Sequence, residues 1–170
     1  ESEVLLNHAL TIKEKALGPI HPDTIKSLRN LAGVLEEQGR YAEAEKRHSV
    51  ALEAIEKSLG PKHPETASCL NELALLFHKL GRLEDAKVLY DRARIILEET
   101  LGSDHSDTAT SFNNLASVSD AQGRYTEAEN WHRRALAIYE KALGSEHPST
   151  ATSLSKLAST LRSQRRKVEA

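Results

Sequence analysis

The chain has 170 residues, of which 39% are hydrophobic and 28% charged, the balance of a folded chain rather than a disordered one. A formal net charge of -2 gives no basis for nucleic acid or anionic lipid as a general partner. No apolar run approaches the ~20 residues of a membrane span, and no signal peptide opens the chain.

Residues 1 to 17 read as one helix with Val4, Leu5, Ala9, Ile12 and Leu17 on its apolar side. Pro22 suits the first position of the next helix, where a missing N–H costs nothing, and Asp23 favours its dipole. Leu28, Leu31, Ala32 and Leu35 then follow at i, i+3, i+4 and i+7, one buried helical stripe. Gly39 ends this helix, and a second runs from near Tyr41 through Ala44, His48, Ala51, Ile55 and Leu59 to Gly60. Residues 64–102 and 106–144 repeat the design, and residues 148–164 supply one more first helix. The spacing predicts seven full helices after the partial one at residues 1–17, and no strand.

The units are joined by a recurring junction. Leu17-Gly18-Pro19-Ile20-His21-Pro22-Asp23-Thr24 returns as Leu59-Gly60 through Thr66, Leu101-Gly102 through Thr108, and Leu143-Gly144 through Thr150. His21, His63, His105 and His147 are spaced by a constant 42 residues, a period that signals a repeat solenoid. Ala32, Ala74, Ala116 and Ala158 let the helices of a pair approach closely, as do Ala44, Ala86 and Ala128. The fold class is therefore all-α: antiparallel helix pairs stacked into a solenoid. The third unit is its soft place. Ser106 replaces the helix-starting proline, and Ser119 stands where Leu35, Phe77 and Leu161 stand elsewhere. A buried hydroxyl there costs ~1–3 kcal/mol unless it finds a hydrogen bond.

Spacing also opposes a metal site. Residues one repeat apart lie on the order of 10 Å apart, whereas zinc ligands converge at ~2.0–2.3 Å, so the junction histidines read as helix caps or packing groups. His48 and His132 read as interhelix packing residues at one register, and His78 points toward the first-helix face. Cys69 is the only cysteine, which fits a reducing, cytoplasmic setting, and it aligns with Ser27, Ser111 and Ser153 as a small inert residue. The basic run Arg162-Ser163-Gln164-Arg165-Arg166-Lys167 reads as a solvated turn, because Arg165 stands where earlier units have Gly39, Gly81 and Gly123. Walker, His-Glu-x-x-His, Cys-x-x-Cys and Gly-x-Ser-x-Gly motifs are absent, so the chain reads as a non-enzyme with no cofactor. With no methionine and an opening inside a helix, it reads as a piece of a longer protein, and its open repeat ends suggest end-to-end self-association.

Asn113-Asn114-Leu115-Ala116, Gln122-Gly123-Arg124-Tyr125-Thr126-Glu127-Ala128-Glu129 and Arg134-Ala135-Leu136-Ala137-Ile138 resemble the tetratricopeptide repeats of kinesin light chains. The unit is also similar to nephrocystin-type repeats and to arrays attached to nucleotide-binding signalling ATPases. The resemblance implies a right-handed superhelix whose first helices line a concave groove for a peptide or partner protein. An alternative it also implies is a regulatory arm of such an ATPase, with mainly intramolecular contacts. The pair before Leu-Ala is Arg29-Asn30, Asn71-Glu72, Asn113-Asn114 and Ser155-Lys156. An Asn amide offers donors and an acceptor to a peptide bond, and Arg offers a planar fork to carboxylates. The candidate groove residues are Arg29, Asn30, Asn71, His78, Asn113, Asn114, Ser155, Lys156 and Arg162. Kinesin light chains carry Arg six residues beyond the second of each pair, where this chain has Glu36, His78, Asp120 and Arg162.

Overall fold

The computed structural model describes residues 2–169, and these form eight helices with no strand among the described residues. In order they are α1 (Ser2–Leu17), α2 (Pro22–Glu37), α3 (Tyr41–Leu59), α4 (Pro64–Lys79), α5 (Leu83–Leu101), α6 (Ser106–Ala121), α7 (Tyr125–Leu143) and α8 (Pro148–Glu169). Principal packing is between helices consecutive in sequence, which makes the molecule a stack of neighbours rather than one shared core.

Each junction is built from three local interactions. Gly60 ends α3 with φ of 93°, a conformation that L side chains rarely adopt. The histidine that follows then caps the next helix: His63 Nδ1 accepts from the Glu65 backbone N–H at 3.1 Å, satisfying an otherwise orphaned donor. His21, His105 and His147 do the same for Asp23, Asp107 and Ser149. The threonine closes the unit, since the Thr66, Thr108 and Thr150 hydroxyls donate back to the Gly60, Gly102 and Gly144 carbonyls at 2.8, 2.9 and 2.8 Å. The junction histidines are thus caps, one of the two roles expected of them, and the recurring threonine gains a reason. Thr24 departs from this pattern, its hydroxyl buried without a partner.

The stripe of α2 is buried as expected, with Leu28, Leu31, Ala32 and Leu35 at 2% exposure or less. Each fully buried leucine contributes ~1.5–3 kcal/mol of transfer free energy. Ala32, Ala74, Ala116, Ala44, Ala86 and Ala128 have no accessible surface, which fits their role in close helix approach. Two outer helices depart from expectation. In α1 it is Leu10 that is buried, whereas Val4, Leu5, Ile12 and Leu17 are exposed. In α8 only Leu157 of its stripe is buried, while Leu154, Ala158 and Leu161 lie on a face with no second helix over it. The turn expected over Arg162–Lys167 is helix instead, and α8 continues to Glu169. Arginine at 165 cannot supply the positive-φ stop that Gly39, Gly81 and Gly123 supply at φ of 74, 74 and 71°.

Candidate partner-binding site

Ion pairs across the repeats show how the layers are arranged. Arg29 of α2 reaches Glu72 of α4, and Lys79 of α4 reaches back to Glu36 of α2 at 2.7 Å. Arg82, at the start of α5, likewise reaches Glu45 of α3, and Lys87 of α5 reaches Glu127 of α7. First helices therefore neighbour first helices, and second helices neighbour second helices. α2, α4, α6 and α8 form one wall, which bears the register that the sequence singles out. Between α2 and α4 this wall opens into a cleft of about 870 Å³ with Arg29, Asn30, Gly33, Glu37, Glu72 and Leu75 among its lining.

The candidate residues fall into two groups. Arg29 is already engaged: its Nε and Nη2 bond both oxygens of Glu72 at 2.8 and 2.5 Å, and Nη1 lies 3.3 Å from Glu65. A planar fork held by a carboxylate of its own protein is not free for one from a ligand. Asn113, expected in the groove, is held inside the stack. It is only 6% exposed, and its carboxamide oxygen accepts from the Ser153 hydroxyl at 3.4 Å and lies 2.8 Å from His132 Nδ1. A carboxamide oxygen can only accept, so the imidazole donates from Nδ1 to it. Asn113 thus joins α6, α7 and α8 from the inside.

The second group faces outward. Asn30, Ser155 and Arg162 are exposed, and Asn71, His78, Asn114 and Lys156 are half-buried. The Asn71 carboxamide oxygen is buried and has no partner, whereas the Ser155 hydroxyl donates to the Ala151 carbonyl at 3.0 Å. Lys156 forms no ion pair with any described residue. Burial pulls its pKa below the ordinary lysine value, against the attraction of Asp120. Burial likewise lowers the pKa of His78, and the charge of Lys156 adds to that shift.

Two buried histidine networks went unread in the sequence. His48 Nε2 lies 2.9 Å from Glu36, and its Nδ1 lies 3.8 Å from Glu72. Burial disfavours the Glu36 carboxylate, but hydrogen bonds from Lys79 and His48 outweigh this and hold its pKa below the usual range. His132 Nε2 lies 3.4 Å from Asp120, whose same oxygen accepts from the Thr160 hydroxyl at 2.7 Å. Ser153, His132 and Asp120 do not form a nucleophile relay, because the serine hydroxyl points to Asn113 and not to the imidazole. Burial pushes the Cys69 thiol up to about 11, away from thiolate chemistry. Among the described residues no three His, Cys, Asp or Glu side chains are grouped to hold a metal ion, and no helix is long and apolar enough to cross a membrane.

Among curated proteins, none matches the chain at a significant level. Solved structures do match along nearly its whole length. The nearly identical TPR-like repeats of a Podosopora anserina protein described as a kinesin light chain superpose with a TM-score of 0.82. That match has 29% identity and covers 98% of this chain and 79% of the other. BtubC (BKLC) from P. vanneervenii, at 24% identity, has a TM-score of 0.83 over 95% of this chain and 65% of its own. The apo form of RapI, at 17% identity, shares the fold with a TM-score of 0.79 over 96% of this chain and 44% of its own. The family model described as tetratricopeptide repeat matches residues 1–57, 27–94, 70–141 and 120–170, and the chain belongs to that family.

Proposed function

We propose that this array is a non-catalytic scaffold that holds a peptide or partner protein along the wall formed by α2, α4, α6 and α8. The observation that carries the reading is polar capacity left unused on neighbouring registers of this wall. The Asn71 carboxamide oxygen has no partner, and half-buried Lys156, though drawn by the charge of Asp120, forms no ion pair with any described residue. Asn30 and Asn114 share the register of Lys156, Ser155 shares that of Asn71, and Arg162 shares that of His78, all exposed or half-buried. Arg29 and Asn113 hold the wall's shape and do not touch the ligand. A backbone laid along this wall meets amide donors and acceptors in its middle and positive charge at α8.

The test is selection of binders from a random peptide library, followed by anisotropy titration of the strongest. Replacing Asn114 and Lys156 together by Ala should weaken those binders by about tenfold or more, with the far-UV helical signal unchanged. Unchanged affinity would sink the reading.

The chain also carries self-association as a second property, supported by Val4 at 71% and Leu5 at 69% exposure on α1 and Leu154 at 46% on α8. Apolar faces of this kind favour end-to-end pairing. Sedimentation over a concentration series should show a rising mean mass, and a constant monomer mass would count against it.

A further inference from the structure

Resting on the reading of this wall as a partner surface, we infer that its α2–α4 segment accepts a cationic stretch of an extended peptide, a lysine or arginine beside an apolar residue, seated over Gly33. Gly33 lies in the interior of α2 and is not among the positive-φ glycines. A Cβ built on it meets nothing within 4 Å. Neither backbone conformation nor packing therefore calls for glycine, which costs ~1 kcal/mol relative to alanine inside a helix. At the same register α4, α6 and α8 carry Leu75, Ser117 and Ser159. The missing side chain leaves the cleft open at its wall, beside Leu75, which is itself 46% exposed. An interior glycine of this kind suits a place where another chain comes close to the helix backbone.

Charge selects the occupant. Five carboxylates and two cationic side chains line the cleft. One of those cations, Arg29, is already held by Glu72 and Glu65. Glu37, exposed near the end of α2, forms no ion pair with any described residue. The surplus negative charge attracts a cationic segment and repels an acidic one, while Leu75 and Val34 offer apolar surface to the neighbouring side chain. An acidic ligand, which the resemblance of Arg29 to a carboxylate-gripping residue would suggest, meets the wrong potential here.

The experiment uses the whole chain and three labelled peptides, a Gly/Ser frame carrying Lys-Leu-Lys, Glu-Leu-Glu or Ser-Leu-Ser, read by fluorescence anisotropy. The Lys-Leu-Lys peptide should bind tightest and weaken as salt rises. Gly33→Leu should lower its affinity by about tenfold, by filling the opening. Leucine is the better helix former, so a melting temperature at or above that of the parent separates loss of binding from loss of fold. Glu37→Gln should lower affinity by about threefold and flatten the salt dependence. Equal or tighter binding of Glu-Leu-Glu, or Lys-Leu-Lys affinity unchanged in Gly33→Leu, overturns the inference. If binding instead disappears with Lys156→Ala, the partner surface stands and only its α2–α4 assignment falls. Failure of all three peptides to bind overturns the inference as well.

Discussion

His48 and His132 occupy one register on α3 and α7, and each is buried against a carboxylate of its preceding first helix. His132 has the clearer consequence for stability. Burial lowers its pKa below 6.5, against the pull of Asp120 and with Lys156 adding to the shift. The unfolded chain therefore binds this proton at higher pH than the folded one. The stability involved is complete above 6.5 and is lost as pH falls from there toward the folded pKa. Glu36 acts lower: its pKa is held below 4.5, so its contribution is present above 4.5 and lost on further acidification. The melting temperature should fall as pH goes from about 7 to about 5.5, and His132→Gln should reduce that slope, leaving the part due to His78, whose pKa burial also lowers. An equal slope in the variant would assign it to other groups. The pairing of these histidines was not legible in the sequence, because Asp120 and His132 are joined only by the folding back of α7 on α6. Their burial was legible, from a register shared with Tyr90.

At the level of the helix, two features carry measurable costs. Gly81 ends the first helix of its unit at φ of 74°, and no atom lies within 4 Å of an added Cβ. Gly81→Ala should therefore destabilise the chain by about 1–2 kcal/mol through backbone strain alone, read as a lower urea midpoint. The sequence marks α6 as the softer element, and one observation bears on that expectation. Ser119 is fully buried, and its hydroxyl has no partner, so the cost of a buried polar group is not offset. Ser119→Ala should raise stability by about 1 kcal/mol. In the parent, amides of α6 should exchange faster than those of α4, and slower exchange in α6 would reject this. Helix starts were readable because Pro22, Pro64 and Pro148, with the preceding histidines, act locally. The end of α8 was not, because repeat periodicity suggested a turn at Arg165 where the residue itself offers no stop.

Across the whole molecule, packing between neighbours predicts that a unit can be removed. Deleting residues 64–105 joins His63 to Ser106, an equivalent point of the junction. The shortened chain should keep its ellipticity per residue while its urea midpoint and slope both fall. Loss of helicity would show that the contribution of α4 and α5 is not merely additive. The repeat, the all-α class, the helix pairs and the junctions were all legible from the residues alone. Each of these is set by periodicity, small residues and backbone chemistry within one unit. Which polar residues of the first helices remain available was settled by the folded stack. Arg29 and Asn113 share a register and both read as ligand-gripping groups, yet one is held by Glu72 of the next unit and the other lies between His132 and Ser153. Their partners are distant in sequence, and a side chain's availability depends on what the stacking brings beside it. The opening at Gly33 is of the same kind: a missing side chain gains meaning only when the facing wall of α4 is in place.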